Sequence, residues 1–115
     1  MYTSYFARLK EVKNPISICG RAPQWYQGPQ YKLLAPKLWF FQLYKEGTIN
    51  SEDYTEAYNI EVLGELDPHK VYKALFSAYD EEPTLLCYEK PGDFCHRHLV
   101  AAWLREAGYD IKELE

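Results

Sequence analysis

The chain has 115 residues, 47% of them hydrophobic, and a formal net charge of −4 with a pI near 5.4. That length suits one domain spanning residues 1–115, that apolar content excludes disorder, and the acidic balance argues against indiscriminate binding to a nucleic acid backbone. No run of ~20 apolar residues offers a membrane span, and the N-terminus lacks a secretory layout, so a cytoplasmic protein is expected.

Tyr2 to Leu9, rich in aromatic and small residues, predicts a first strand. Asn14-Pro15 signals a turn, Ile16 to Cys19 alternates as a second strand, and Gly20-Arg21-Ala22-Pro23 breaks it. From Gly20 to about Ala35 the pattern is aperiodic, a loop of the length that often carries function. Pro36 suits the first position of a helix that stops at Gly47. Asn50, with Asp53 three residues on, predicts a capping box for a helix whose Tyr54, Tyr58, Val62 and Leu66 share one face. Asp67-Pro68 predicts the start of a third helix with Val71, Leu75 and Ala78 as its stripe. Thr84 to Tyr88 reads as a buried strand. Asp93 is the expected cap of a last helix ending at Gly108, and Tyr109 to Leu114 a final strand. Mixed strands and helices predict an α/β fold, a small sheet with partly parallel strands flanked by helices.

Charge is unevenly spread. Lys13, Arg21, Lys32, Lys37 and Lys45 fall in a stretch without acids that also carries Trp25, Tyr26, Trp39, Phe41 and Tyr44, whereas Glu46 to Asp67 is acidic. Cations among rings suit a ligand with both phosphate and base, although a solvated basic face beside an aromatic core gives the same pattern.

The densest chemistry lies where the buried strand hands over to the last helix. Glu89 ends the strand, and Cys95-His96-Arg97 opens the helix, where unpaired N–H groups and the dipole favour negative charge. His96 extends the buried stripe of Leu99, Val100, Trp103 and Leu104, whereas His98 falls nearer solvent with Ala101, Ala102 and Arg105. Cys95 reads either as an activated nucleophile or as a small packing residue. Arg97 reads either as an anion fork or as an exposed partner of Asp93 or Glu89. Arg six positions after a cysteine, as a phosphatase loop needs, is missing: Asp93 follows Cys87 and Ala101 follows Cys95 at that interval. There is no Gly-rich phosphate loop or dinucleotide fingerprint. Cys87, Cys95 and His96 could ligate zinc, with Glu89 or His98 as fourth partner, but the spacing is not a recurrent zinc motif, and no metal or cofactor is assigned. The three cysteines are expected to be reduced thiols, and a Cys87–Cys95 disulfide is not expected in a reducing compartment.

Leu85-Leu86-Cys87-Tyr88-Glu89 followed by Cys95-His96-Arg97 resembles the signature of the domain of unknown function 488 family, over about Leu85 to Gly108. Upstream, Ile18-Cys19-Gly20-Arg21-Ala22-Pro23 keeps that family's Arg and Pro but not its Asp. The chain is short, like compact members carried by phages. The resemblance implies a compact α/β fold with Arg21, Glu89, Cys95, His96 and Arg97 around one pocket, and no established reaction.

These readings converge on a binder of a small phosphate-bearing molecule, a nucleotide by preference. Arg21 and Arg97 would hold phosphate, Trp25 or Tyr26 would stack on a base, and Glu89, Cys95 and His96 would complete the pocket. One alternative is an enzyme on nucleotides or nucleic acid with Cys95 as nucleophile or His96 as acid–base. Another is a protein-interaction module using the acidic segment.

Overall fold

A computed structural model describes residues 1–114. Its sheet contains β1 (Tyr2–Tyr5), β2 (Pro15–Ser17), β3 (Thr84–Cys87) and β4 (Lys112–Glu113), in the order β2-β3-β1-β4. Every pairing is parallel, with Tyr5 opposite Cys87 and Ser17 opposite Leu86. All carboxyl ends therefore share one edge, where parallel sheets gather ligand-binding loops. The helices are α1 (Leu38–Lys45), α2 (Ser51–Glu61), α3 (Pro68–Phe76) and α4 (His96–Glu106). Among the described residues no helix is long and apolar enough to cross a membrane.

Local chemistry sets several elements as expected. Asn50 accepts from the Asp53 amide at 2.9 Å while Asp53 accepts from the Asn50 amide at 3.2 Å, completing the capping box. Asp67 accepts from the His69 amide at 2.9 Å and Pro68 holds the first turn of α3. Gly108 ends α4 in the left-handed region at φ 102°, its amide bonded to the Arg105 carbonyl. β3 is buried along its whole length, as its apolar run requires.

Several boundaries differ from expectation, the final strand among them, which covers only Lys112–Glu113 rather than Tyr109 to Leu114. The first strand stops at Tyr5, and the chain turns into a 3₁₀ segment, Phe6–Glu11, that buries Phe6 against Tyr26 and Tyr88. β2 closes at Ser17 rather than Cys19. The helix expected from Pro36 starts at Leu38, because Lys37 is still extended at ψ 143°. Asp93 does not cap α4. Its amide closes a turn on the Lys90 carbonyl, and the helix starts later, with Cys95 as the extended residue before it.

The core has two parts. The larger, under the helices, joins Leu85 to Ile16, Ile18, Phe40, Tyr58, Leu75, Val100 and Leu104. The smaller joins Leu86 and Cys87 to Phe6, Cys19, Tyr26 and Cys95. The long loop after β2 is fastened to it through Tyr26, whose hydroxyl donates toward the carbonyls of Pro29 at 2.7 Å and Pro15 at 3.1 Å. Gly28 lets that ring in, since a Cβ there would run into the Tyr26 hydroxyl. Gly28→Ala should therefore lower stability by about 1–3 kcal/mol in urea titration, and Tyr26→Phe by about 1 kcal/mol. A neutral Gly28→Ala would mean that the loop is not held this way.

Candidate functional site

The carboxyl ends of β2 and β3 open onto a cavity of about 610 Å³ bounded by α1, α2 and the start of α4. Of the residues singled out from the sequence, Arg21, Glu89, Cys95 and His96 line it. Trp25, Tyr26 and Arg97 do not. Trp25 is exposed and packs edge-on to Phe6, and Tyr26 is spent on fastening its loop.

Arg97 is the largest fully buried side chain in the protein. It faces neither solvent nor the cavity. Its Nε and Nη2 donate to the two oxygens of Glu113 at 3.1 and 2.8 Å, and its Nη1 donates to the Glu89 carbonyl at 2.6 Å and to Cys87 Sγ at 3.1 Å. The exposed pairing with Asp93 or Glu89 is replaced by this fork. Ala101, expected near solvent, is buried on the same side of α4 one turn on. Burial alone would raise the Glu113 carboxyl, but bonds from Arg97 and Thr3 outweigh it and hold the group below its ordinary value.

His96 sits in the first turn of α4 and is nearly sealed. Its Nε2 lies 2.8 Å from the Ile18 carbonyl, which can only accept, so Nε2 carries the proton. Burial, above all, pushes the imidazole down to about 4, so it is neutral near pH 7. Nδ1 is then a bare lone pair, 3.9 Å from Cys95 Sγ. The missing third member of a Cys–His arrangement is thus a backbone carbonyl, which no residue spacing can reveal.

The cysteines correct the expectation of three free thiols. Cys87 and Cys95 are joined as a disulfide, their Cα atoms 7.3 Å apart, and Cys19 alone is free. Chiefly through burial, the Cys19 thiol is pushed up to about 12 and is unreactive at neutral pH. Cys95 lines the cavity, whereas Cys87 is wholly buried behind it. Both sulfurs and a His96 ring nitrogen lie within 4.8 Å of one another, so the same three residues could hold a thiophilic metal with the disulfide open.

The cavity wall also includes Phe41, Tyr44, Tyr54 and Phe94, with Lys45 among the lining residues. The rings brace each other, Tyr44–Phe94 and Tyr44–Tyr54 with centroids at 5.3 Å and Tyr54–Phe94 at 5.0 Å. Phe41, Tyr44 and Lys45 belong to the basic, aromatic stretch of the sequence. Tyr54 and Phe94 gave no functional signal there. Lys45 pairs with Glu89 at 3.6 Å in a partly exposed contact worth little in water.

Two outcomes follow. Unfolded, His96 returns to its ordinary value of 6.5, so between 6.5 and about 4 the unfolded chain binds more protons. Stability should fall as pH drops through that window, by on the order of 3 kcal/mol from His96, and urea midpoints for His96→Gln should lose most of this slope, with His98, also lowered by burial, keeping the rest. A flat wild-type profile there would refute a buried neutral imidazole. Arg97→Met should cost about 3 kcal/mol by stranding Glu113, with Arg97→Lys recovering only part; a loss below about 1 kcal/mol would refute the fork.

A family model described as the Active DUF488-N3 subclade matches residues 5–108. No curated protein and no solved structure matches the chain. With nearly its whole length matched, and with the strand-to-helix turn built as described, the chain belongs to the DUF488 family.

Proposed function

We propose that the cavity binds a small anionic molecule with a flat ring, a nucleotide by preference. The observation that supports this is the lining itself: one recess combines aromatic walls, two cations and a carboxylate at the carboxyl edge of a parallel sheet. Its size, about 610 Å³, falls within the range of small-ligand sites. Phe41 and Tyr88, both in the lining, supply the aromatic rings for a base, in place of Trp25 and Tyr26. Arg21 and Lys45 supply the positive charge for phosphate, in place of the buried Arg97. Glu89 is an acceptor for a sugar hydroxyl.

A second reading, an enzyme acting on nucleotides, draws on one feature of its own. Ile18 orients the neutral His96 so that its lone pair lies 3.9 Å from Cys95 Sγ, which places an imidazole beside a thiol although burial leaves that imidazole a weak base. That chemistry requires Cys95 in its reduced form.

The test is a thermal-shift and calorimetric screen against nucleoside mono- and diphosphates. A ligand present at about 100 times its Kd should stabilise the fold by ~2.7 kcal/mol, a shift of several degrees. Arg21→Ala and Phe41→Ala should each weaken binding about tenfold or more, and Trp25→Ala should not. If no nucleotide at millimolar concentration raises Tm, the proposal fails. Turnover that requires reductant and disappears in Cys95→Ser would favour the enzyme.

A further inference from the structure

The Cys87–Cys95 bond is asymmetric in two respects that matter for sulfur chemistry. Only the Cys95 side meets the cavity. Only the Cys87 side has a buried cation, Arg97 Nη1 at 3.1 Å from its sulfur. In thiol–disulfide exchange, attack falls on the accessible sulfur, and the reaction is faster when the departing sulfur is the better stabilised thiolate. The Arg97 guanidinium is fixed by Glu113 and the Glu89 carbonyl, so this cation needs no reorganisation when a thiolate forms beside it.

We propose that this bond is a thiol–disulfide exchange centre opened by a small anionic thiol that enters the cavity and attacks Cys95 Sγ, with Cys87 as the leaving group.

The entering thiolate forms a new S–S bond to Cys95, the Cys95–Cys87 bond breaks, and its electron pair departs on Cys87 as a thiolate paired with Arg97. A second thiolate attacks the entered sulfur of the mixed disulfide, releasing a small-molecule disulfide and the Cys95 thiolate. Two small thiols are oxidised and one protein disulfide is reduced to two cysteine sulfurs. Arg21 and Lys45 in the lining favour an anionic thiol over a neutral one. Cys19 also lines the cavity, but burial holds it as the protonated thiol, and it is not part of the bonded pair. The centre does not depend on whether the cavity also accepts a nucleotide.

The experiment uses glutathione, which carries net negative charge, with the full-length protein, and maps each cysteine by mass spectrometry after alkylation. Without reductant, Cys87 and Cys95 should resist alkylation in denaturant. Glutathione should open the bond, and Cys87→Ser, treated with glutathione disulfide, should hold one glutathione on Cys95. Arg97→Gln should slow opening by about tenfold or more, with Arg97→Lys intermediate. The same rates for cysteamine, a cationic thiol of smaller size, should be lower at equal thiolate concentration. Where Arg97→Gln does not fold, the Cys87→Ser adduct site and the comparison of the two thiols decide. An adduct on Cys87 in the native chain, equal rates for both thiols, or freshly purified protein with three alkylatable thiols and one equivalent of zinc would each overturn the proposal. Loss of nucleotide binding alone would not bear on it.

Discussion

A guanidinium sealed inside a small domain imposes more on its surroundings than any apolar side chain there does. Burying a guanidinium without partners would cost several kcal/mol. Its five donors must be met from whatever lies near, and the partners come from three places in the chain: Glu113 on β4, the Glu89 carbonyl just past β3, and Cys87 at the end of β3. The first turn of α4, the end of a central strand and a two-residue edge strand are thereby fixed together. Position follows for the neighbours in sequence. With Arg97 turned inward, its neighbours Cys95 and His96 line the cavity.

The parallel sheet supplies the other half of the arrangement. With every strand pointing the same way, the exits of β2 and β3 lie side by side. The carbonyl that orients His96 comes from Ile18, just beyond β2, and the cysteine pair straddles the exit of β3. Two segments almost eighty residues apart thus build one small polar corner, while α1 and α2 bring the rings that wall it. Division of labour between strand ends and helices is a general property of such sheets.

What could be read from the sequence was local. Asn50 with Asp53, Asp67 with Pro68, and the unbroken apolar run of β3 each state their structure within a few residues. The site at the strand-to-helix turn was legible for a similar reason: Glu89, Cys95 and His96 are close in sequence and line one cavity. The sequence points Arg97 into the pocket, whereas its destination depends on Glu113, sixteen positions away on an edge strand too short to announce itself. Trp25 and Tyr26 look like stacking rings in composition, yet Tyr26 is committed to backbone carbonyls that become adjacent only on folding. The disulfide went unforeseen because compartment argues about cysteines in general, whereas pairing depends on where two particular sulfurs end up.

The fastening of the loop after β2 bears on how a ligand would be received. Ser17 bonds to Pro29 and Tyr31 on either side of Gln30, and the Tyr88 hydroxyl reaches across to the Arg21 carbonyl at 2.6 Å. The lip of the recess is therefore shaped during folding, and the conformational entropy of ordering it is lost at that stage. An incoming molecule meets a mouth already set, so more of its contact energy is left for selectivity among similar shapes.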